Sequence, residues 1–375
     1  MEQIPLASRA LSLFLELAAI PSPPGEERDV ADRVTAELRS LGLEVEEDDS
    51  GPRTGSAIGN LYCRLPPTNG AGTPLFFCAH LDTVPPQGSI TPVVDGGIVR
   101  NSSGTILGAD NKAAVVAMIE AIRRVVEERR QHAGLELVLT PKEEVGLVGA
   151  KAFDAARLAA QVGYVYDMAA PIGTVILAAP SARRIDVRFH GKAAHSGMAP
   201  EDGRSAIAAA ARAITDLRLG RIDDETTANV GTIRGGVAGN IVPEWCSFVA
   251  EARSLDDRKL ADVIEEMLEA ATYAASIAEC DVETEVHEDY RAYRFKRDDT
   301  PVQLALAAFE RTGHEVHFDT TGGAADANVF NERGLQCLNL ANGMAEIHTP
   351  EEHIAVDDLD AMVDVTLGII DAAVA

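Results

Sequence analysis

The sequence predicts an α/β protein with a mainly parallel central sheet flanked by helices, interrupted by a smaller α+β domain. Apolar strand-like segments alternate with helical segments through the first half of the chain, as in a helix-covered parallel sheet. Near Pro180 the order changes to β-α-β-β-α-β, which is typical of a self-contained ferredoxin-like unit. The length of 375 residues also favours two domains over one core.

The first half of the chain supplies most elements of the larger domain. Apolar residues at helical spacing predict helices at residues 6–19, 26–41 and 111–129. Short apolar runs predict buried strands at residues 60–65, 75–80, 135–140, 164–167 and 174–178. The alternation of the two patterns indicates layers of helices packed against a sheet.

The inserted domain begins with RIDVRFHG, in which polar and apolar residues alternate as in a half-exposed strand. Its predicted elements are strand 184–191, helix 203–217, strands 228–234 and 244–253, helix 256–276 and strand 281–288. From about residue 291 the chain returns to helix–strand alternation and ends in helix 357–374. The expected boundaries are 1–180 and 291–375 for the larger domain and 181–290 for the inserted one.

Composition and charge argue against several classes of partner. The chain has 59 acidic and 33 basic residues and a net charge of −26, which repels nucleic-acid phosphates and anionic membranes. No apolar run reaches the roughly 20 residues of a membrane span, and the N-terminal segment is predicted as an amphipathic helix rather than a signal peptide. Five cysteines without a CxxC pair indicate reduced thiols. We therefore expect a cytoplasmic protein that binds neither nucleic acid nor membrane.

Polar residues that could bind a metal end two of the predicted strands. His80 ends the strand at 75–80, and Asp82, two residues later on the same face, can hold its imidazole ring and tautomer. Asp167 ends the strand at 164–167, where ligands usually bind in open α/β sheets. Taken singly, each could also be an ordinary polar residue at a strand end.

Carboxylates and a histidine in three loops extend this set. Asp110 lies in GADNKAA among small residues that allow close approach to an ion, although it could equally be a helix N-cap. Glu143 and Glu144 repel each other unless a metal offsets their charge, and a solvated acidic turn is the alternative. His348 lies in IHTPEEHI near the C-terminus. The combined N/O donor set suits Zn²⁺, with Mn²⁺ and Co²⁺ as alternatives.

Five segments carry a resemblance to a known family. They are HLDTV (80–84), GADNKAA (108–114), KEEVGLVGA (142–150), YVYD (164–167) and IHTPEEH (347–353). In order and approximate spacing they resemble the co-catalytic zinc metallopeptidases that include peptidase T, carboxypeptidase G and aminoacylase. The resemblance spans nearly the whole chain. TILGADNKAAVVAMIEAIR and IHTPEEHI look most like the peptidase T-like tripeptidase branch.

The resemblance implies a site for two divalent metal ions, most simply zinc. Asp110 would bridge the two ions. His80 and Asp167 would complete one site, and Glu144 and His348 the other. The inserted domain resembles the family's lid and dimerisation domain, which implies a homodimer.

The resemblance also implies the catalytic groups. Glu143 would be the general base, and Asp82 would support His80. The peptide bond that follows Asp110 is expected to be cis. In HGKAAHSG, His195 would stabilise the oxyanion, often in the active site of the partner subunit.

Three residues match positions that commonly touch substrate in the family. They are Asn240 in GNIVP, Arg253 in EARS and Gly323 in TGGAADAN. An arginine suits a peptide carboxylate because its fork can donate two hydrogen bonds. The chain departs from the family's usual pattern at Ala114, Ala324 and Ala325, which leaves the ligands intact.

The implied function is metal-dependent hydrolysis of short peptides by a tripeptide aminopeptidase-like exopeptidase. Two zinc ions would activate a bridging water, and Glu143 would take its proton and pass it to the leaving amine. An N-acyl-amino-acid deacylase or a carboxypeptidase of the same family would use the same metals and base, with a different substrate pocket. A non-catalytic peptide- or metal-binding protein is the remaining alternative, against which the intact ligand set and Glu143 argue.

Overall fold

Two compact units make up the part of the chain that the computed structural model describes, residues 8–68 and 71–374. The larger unit consists of the chain up to Leu177, Arg294–Thr320 and the chain from Ala325. The smaller unit consists of Ala178–Tyr293 and Thr321–Ala324. The smaller unit therefore includes a short segment from the C-terminal part of the chain.

The N-terminal part supplies five helices and eight strands among the described residues. The helices are α1 (Arg9–Ala18), α2 (Arg28–Ser40), α3 (Gly51–Thr54), α4 (Ala109–Glu127) and α5 (Val148–Ala152). The strands are β1 (Val45–Glu47), β2 (Leu61–Leu65), β3 (Leu75–His80), β4 (Pro92–Asp95), β5 (Ile98–Asn101), β6 (Leu135–Thr140), β7 (Val162–Tyr166) and β8 (Thr174–Ala179). The helix predicted at 6–19 corresponds to α1, and residues 6 and 7 lie outside the described residues.

The remaining elements follow in chain order. The next seven are β9 (Ser181–His190), α6 (Ala206–Asp216), β10 (Gly220–Arg221), β11 (Thr226–Gly235), β12 (Trp245–Ser254), α7 (Asp257–Ala278) and β13 (Asp281–Tyr290). The last seven are β14 (Tyr293–Arg294), α8 (Thr300–Thr312), β15 (His317–Thr320), α9 (Asp326–Glu332), β16 (Gln336–Leu340), β17 (His353–Ala355) and α10 (Val356–Ala372).

The central sheet has the strand order β1-β2-β6-β3-β7-β16-β8-β14, and β15 pairs with β8. Its four middle strands, β6, β3, β7 and β16, run parallel to one another. Every residue of β3, β6 and β7 is buried, which explains why these strands are mostly apolar in the sequence. Helix α4 packs against β3 and β7. The mixed α/β class with a mainly parallel sheet is thus confirmed.

A small antiparallel sheet, ordered β17-β5-β4, was not predicted. Its β4–β5 turn contains Gly96 and Gly97, both with positive φ. Because Asp-Gly flanked by apolar residues is a hairpin signal, this turn could have been predicted from the sequence VVDGGIV. Strand β17 brings the chain that follows His348 against β5.

The smaller unit is built on a five-stranded antiparallel sheet, ordered β10-β11-β12-β9-β13. Helices α6 and α7 pack against β9 and β12, over a core that includes Phe189, Phe248 and Met267. Buried and less buried residues alternate along β12, as expected for a sheet with one face on the core. Apart from the two-residue β10, the order is the predicted β-α-β-β-α-β.

Two further expectations can be compared with the described residues. None of their helices combines the length and the apolar character that crossing a bilayer requires. The cysteines are all free, as predicted. Four are buried, and Cys280 is partly exposed.

Candidate metal centre

The carboxyl ends of the parallel strands in the larger unit position the candidate site. Strands β3 and β6 are in register, so that His80 lies opposite Thr140. The loops after β3, β6, β7 and β16 therefore leave the sheet at one edge. These loops carry Asp82, Glu143, Glu144, Asp167 and His348, whereas His80 ends β3 itself and Asp110 lies at the start of α4.

His80 lies at this edge and is almost fully buried. Its Nδ1 is 2.9 Å from the backbone carbonyl oxygen of Asp82, and its Nε2 is 3.2 Å from Oδ1 of Asp110. A carbonyl can only accept, so Nδ1 carries a proton, and Nε2 is the nitrogen that faces Asp110 and could bind a cation in its place. The support therefore comes from the Asp82 carbonyl, whereas its carboxylate Oδ1 lies 3.6 Å from Nδ1.

The carboxylate of Asp82 is instead directed at the turn after β6. Oδ1 accepts from the backbone N–H of Glu143 at 2.9 Å, and Oδ2 accepts from that of Glu144 at 3.1 Å. Asp82 is fully buried. The loop after β3 thus holds the backbone of the acidic turn as well as the ring of His80.

Asp110 lies between two imidazoles at the start of α4. Its Oδ1 faces Nε2 of His80 at 3.2 Å, and its Oδ2 faces Nε2 of His348 at 3.1 Å. Although burial opposes the change, the neighbouring imidazoles of His348 and His80 lower the pKa of Asp110. The Asp110–Asn111 peptide bond is cis, as expected.

Glu143 and Asp167 are carboxylates whose pKa values are raised. Burial is the main cause for Glu143, to which the charge of Asp167 adds while His80 opposes it. For Asp167, burial acts with the charge of Asp110. The backbone of Asp167 is held by Asn339, whose amide accepts from its N–H at 3.0 Å and donates to its carbonyl at 2.9 Å.

His348 and Glu144 complete the cluster. Nε2 of His348 is 3.0 Å from Oε1 of Glu144, an oxygen that has no well-aligned hydrogen-bond partner among the described residues. The nearby carboxylates of Asp110 and Glu144 raise the pKa of His348 to about 10, although burial opposes the change. Some 44% of the His348 side chain is exposed, so the cluster is open on this side.

The structure thus brings the predicted ligands and Glu143 into one cluster. Ligand atoms of His80, Asp110 and Glu144 lie within 4.8 Å of one another, as do those of His80, Glu143 and Asp167. Crowded carboxylates without matching cations are electrostatically unfavourable. Divalent cations would offset this repulsion, so the donor set fits a metal centre.

Further buried residues near this end of the sheet were not predicted as site residues, and they include Asp326, Lys112 and Glu352. Asp326 accepts a 2.5 Å hydrogen bond from the Thr140 hydroxyl, and its other oxygen has no partner among the described residues. Lys112 donates to the carbonyl of Ile20, and burial lowers its pKa to about 7. Glu352 accepts three backbone hydrogen bonds. Both Lys112 and Glu352 lie within the quoted motifs, which was the available signal.

The other predicted site residues belong to the smaller unit. Nδ1 of His195 accepts from the N–H groups of Gly197 and Met198, at 3.2 and 3.1 Å. The neighbouring Ser196 N–H donates to the carbonyl of Asn240. This unit therefore brings the His195 loop next to Asn240.

Arg253 and Gly323 also lie near each other in the smaller unit. Nη1 of Arg253 is 3.4 Å from the carbonyl oxygen of Gly322, and the N–H of Gly323 donates to the hydroxyl of Thr321 at 3.0 Å. Arg253 also contacts Glu251 at 3.2 Å. Its Nε is buried and has no hydrogen-bond partner among the described residues.

The sequence matches a known protein family over most of its length. Residues 76–372 match the model of the peptidase family M20/M25/M40. The chain belongs to this family. It is similar to the uncharacterized protein YqjE of Bacillus subtilis, with 38% identity over 97% of this chain and 98% of that protein.

Two solved structures are similar to this chain over 98% of both chains. The aminopeptidase PepT from Bacillus cereus is 39% identical, with a TM-score of 0.89. A tripeptidase from Staphylococcus aureus is 32% identical, with a TM-score of 0.92. The chain is therefore a peptidase T-like member of the M20 family, and the peptidase class of hydrolases is the supported activity.

Proposed function

We propose that this chain is a metal-dependent exopeptidase that cleaves short peptides, with tripeptides as the first substrates to test. The observation that carries the proposal is the position of Asp110, whose two carboxylate oxygens face His80 and His348 separately. A carboxylate between two imidazoles is suited to bridge a pair of cations. Similarity to the Bacillus cereus aminopeptidase and the Staphylococcus aureus tripeptidase supports the choice of substrate.

The proposed metal pair is held by five side chains. Asp110 would be shared, His80 and Asp167 would hold one ion, and Glu144 and His348 would hold the other. The mixture of imidazole and carboxylate donors favours zinc, with manganese and cobalt as alternatives. Nδ1 of His80 already donates to a backbone carbonyl, which leaves Nε2 for the metal.

Glu143 is the proposed general base. When bound, the divalent ions supply a Lewis acid that makes water easier to deprotonate and polarises a carbonyl group. Glu143 accepts the proton of the attacking water and delivers it to the leaving amine. Its burial, which raises its pKa, makes this carboxylate a better proton acceptor than an exposed glutamate.

The smaller unit is proposed to act as lid and dimerisation domain. Because Nδ1 of His195 accepts from two backbone N–H groups, the ring proton of the neutral form lies on Nε2. His195 can therefore donate to the oxyanion of the tetrahedral intermediate, in our proposal within the partner subunit of a homodimer. Asn240, Arg253 and Gly323 are proposed to bind the peptide.

One substrate panel tests the function. Purified protein is stripped with a chelator, reloaded with Zn²⁺, Mn²⁺ or Co²⁺, and incubated with tripeptides, dipeptides and N-acetyl amino acids with free or blocked termini. We expect chelator-sensitive release of the N-terminal residue from tripeptides with a free amino group. Cleavage of only N-acetyl amino acids would indicate a deacylase, and release of the C-terminal residue a carboxypeptidase. The absence of any hydrolysis would favour a binding protein.

The proposed location is the cytoplasm. The support comes from the five free cysteines, since unpaired thiols are typical of reducing compartments. Fractionation of cells that express the tagged protein would test this directly. Recovery outside the cytoplasm would contradict it.

A further inference from the structure

Glu352 is a buried carboxylate that accepts hydrogen bonds from backbone N–H groups of a loop far away in the sequence. Its Oε2 accepts from Leu107 at 2.8 Å and from Gly108 at 2.9 Å, and its Oε1 accepts from Asp110 at 3.0 Å. Only 1% of Glu352 is exposed. The contacts join parts of the chain that lie 242 to 245 residues apart. A buried carboxylate with three aligned donors is a strong and specific link.

The hydrogen bonds of Glu352 differ from those of an ordinary helix cap. The bonded N–H groups lie at the start of α4, where a carboxylate is favoured by the unpaired donors of the first turn. One of them belongs to Asp110 itself, which we propose as the shared ligand. Gly108, between the other two, has a φ of 77° that a residue with a side chain rarely adopts. The link thus fixes an irregular loop immediately before the ligand.

Glu352 also ties together two of the proposed ligands. It lies four residues after His348 along the chain. Nε2 of His348 faces one oxygen of Asp110, while Glu352 holds the backbone of the same residue. The C-terminal loop therefore contacts Asp110 twice, once at its side chain and once at its main chain.

We propose that Glu352 is a positioning residue for the metal pair, which holds the Leu107–Asp110 loop so that the Asp110 carboxylate faces both cations. The inference rests on the proposed metal site. Partners of this kind orient a ligand before the ion arrives, so that binding does not have to order the loop. Glu352 itself touches neither substrate nor metal in this proposal.

The variant Glu352→Gln separates this role from general packing. Its side chain has nearly the same size, but one oxygen is replaced by an NH₂ group that faces a backbone N–H instead of accepting from it. At least one of the three hydrogen bonds is lost. The neighbouring Glu351, which is exposed, provides the matched control Glu351→Gln. Glu352→Asp keeps both acceptors but withdraws them by one methylene group.

The test measures zinc binding rather than activity alone. Apo forms of the wild type and the three variants are titrated with Zn²⁺ against a competing chelator, and their melting temperatures are recorded without metal. For Glu352→Gln we expect about 10–100-fold weaker binding of at least one ion, since loss of such partners has effects of this size. The zinc affinity of Glu352→Asp should lie between those of the wild type and Glu352→Gln. The zinc affinity of Glu351→Gln should match that of the wild type.

Kinetics at saturating zinc supply a second measurement. We expect Glu352→Gln to lower kcat on a tripeptide more than it changes KM, since a displaced metal pair disturbs the chemical step. Zinc affinity in Glu352→Gln and Glu352→Asp equal to that of the wild type would overturn the inference, even if both variants melt at lower temperature. Wild-type protein that binds zinc but cleaves no peptide would instead refute the proposed function alone.

Discussion

The carboxylate of Asp82 accepts a 2.9 Å hydrogen bond from the backbone N–H of Glu143. Its second oxygen accepts from the next N–H, that of Glu144, at 3.1 Å. The two glutamates have different proposed roles, one as base and one as ligand. Asp82 fixes the turn from which both side chains leave, and its carbonyl accepts from the ring of His80. One residue therefore connects the proposed base with two proposed ligands.

The variant Asp82→Asn should lower activity because it disturbs the turn that carries Glu143 and Glu144. An amide offers one acceptor, so one of the two N–H groups is left facing a donor in a fully buried place. We expect kcat to fall by about 10²-fold, the order of effect that a small misplacement of catalytic groups produces. The measurement is kcat on a tripeptide at saturating zinc. Asp95→Asn, on the exposed β4–β5 hairpin, is the control, and unchanged kcat in Asp82→Asn would refute this role.

Replacing Glu143 should abolish most of the activity without removing metal. We expect Glu143→Gln to retain two zinc ions per chain while kcat falls by about 10²–10⁴-fold, the usual contribution of a general base. Glu144→Gln is the contrasting variant and should lose zinc. Zinc content is measured by elemental analysis beside the kinetics. Because Glu143 lies with His80 and Asp167 at ligand distances, loss of an ion from Glu143→Gln would make it a ligand instead.

Removal of metal should destabilise the larger unit. Burial and neighbouring charges raise the pKa values of Glu143 and Asp167, which indicates that ionising both without a cation is unfavourable. Zinc at 100 times its dissociation constant should add about 2.7 kcal/mol of stability, by mass action. Thermal unfolding of chelator-treated protein with and without zinc measures this. The melting temperature of His348→Ala should rise less when zinc is added. A wild-type melting temperature that zinc does not change would contradict the proposed metal site.

Two members of the candidate ligand cluster could be predicted from a pattern in the sequence, and the resemblance implied the others. His80 and Asp167 follow continuous apolar strands, and parallel strands bring their carboxyl ends to one edge. The atom through which Asp82 supports His80 could not be predicted. A spacing of two residues places both side chains on one face. It does not reveal that the backbone N–H groups 61 and 62 residues later donate to the Asp82 carboxylate.

Glu352 and Asn339 were missed for a related reason. Both bind the backbone of residues far along the chain, and a backbone N–H leaves no signature in the sequence. The β4–β5 hairpin differs, because its Asp-Gly turn signal was present and was not used. Local turn chemistry can therefore be predicted from sequence, whereas long-range links to the main chain require the structure.

The tautomer of His195 leads to a prediction about its replacements. Its Nδ1 accepts from the N–H groups of Gly197 and Met198, which leaves the ring N–H on Nε2 as the donor. The amide of Gln can place an N–H near the position of Nε2, whereas Ala cannot. We expect His195→Ala to lose about 10²–10³-fold in kcat, as removal of an oxyanion donor does, and His195→Gln to lose less. Nitrogen NMR of the labelled ring should show a proton on Nε2, and one on Nδ1 in the neutral form would contradict the assignment.

In the proposed homodimer, pairing two different variants can show which subunit His195 serves. Glu143→Ala and His195→Ala chains should each be inactive alone. If His195 acts in the partner's site, a dimer of one chain of each kind contains one site with both groups, and co-expression restores activity. Two different affinity tags isolate the mixed dimer, and preparations of each variant with itself are the controls. An isolated mixed dimer without activity would mean that His195 acts within its own chain, because each chain then carries one defective group at its own site.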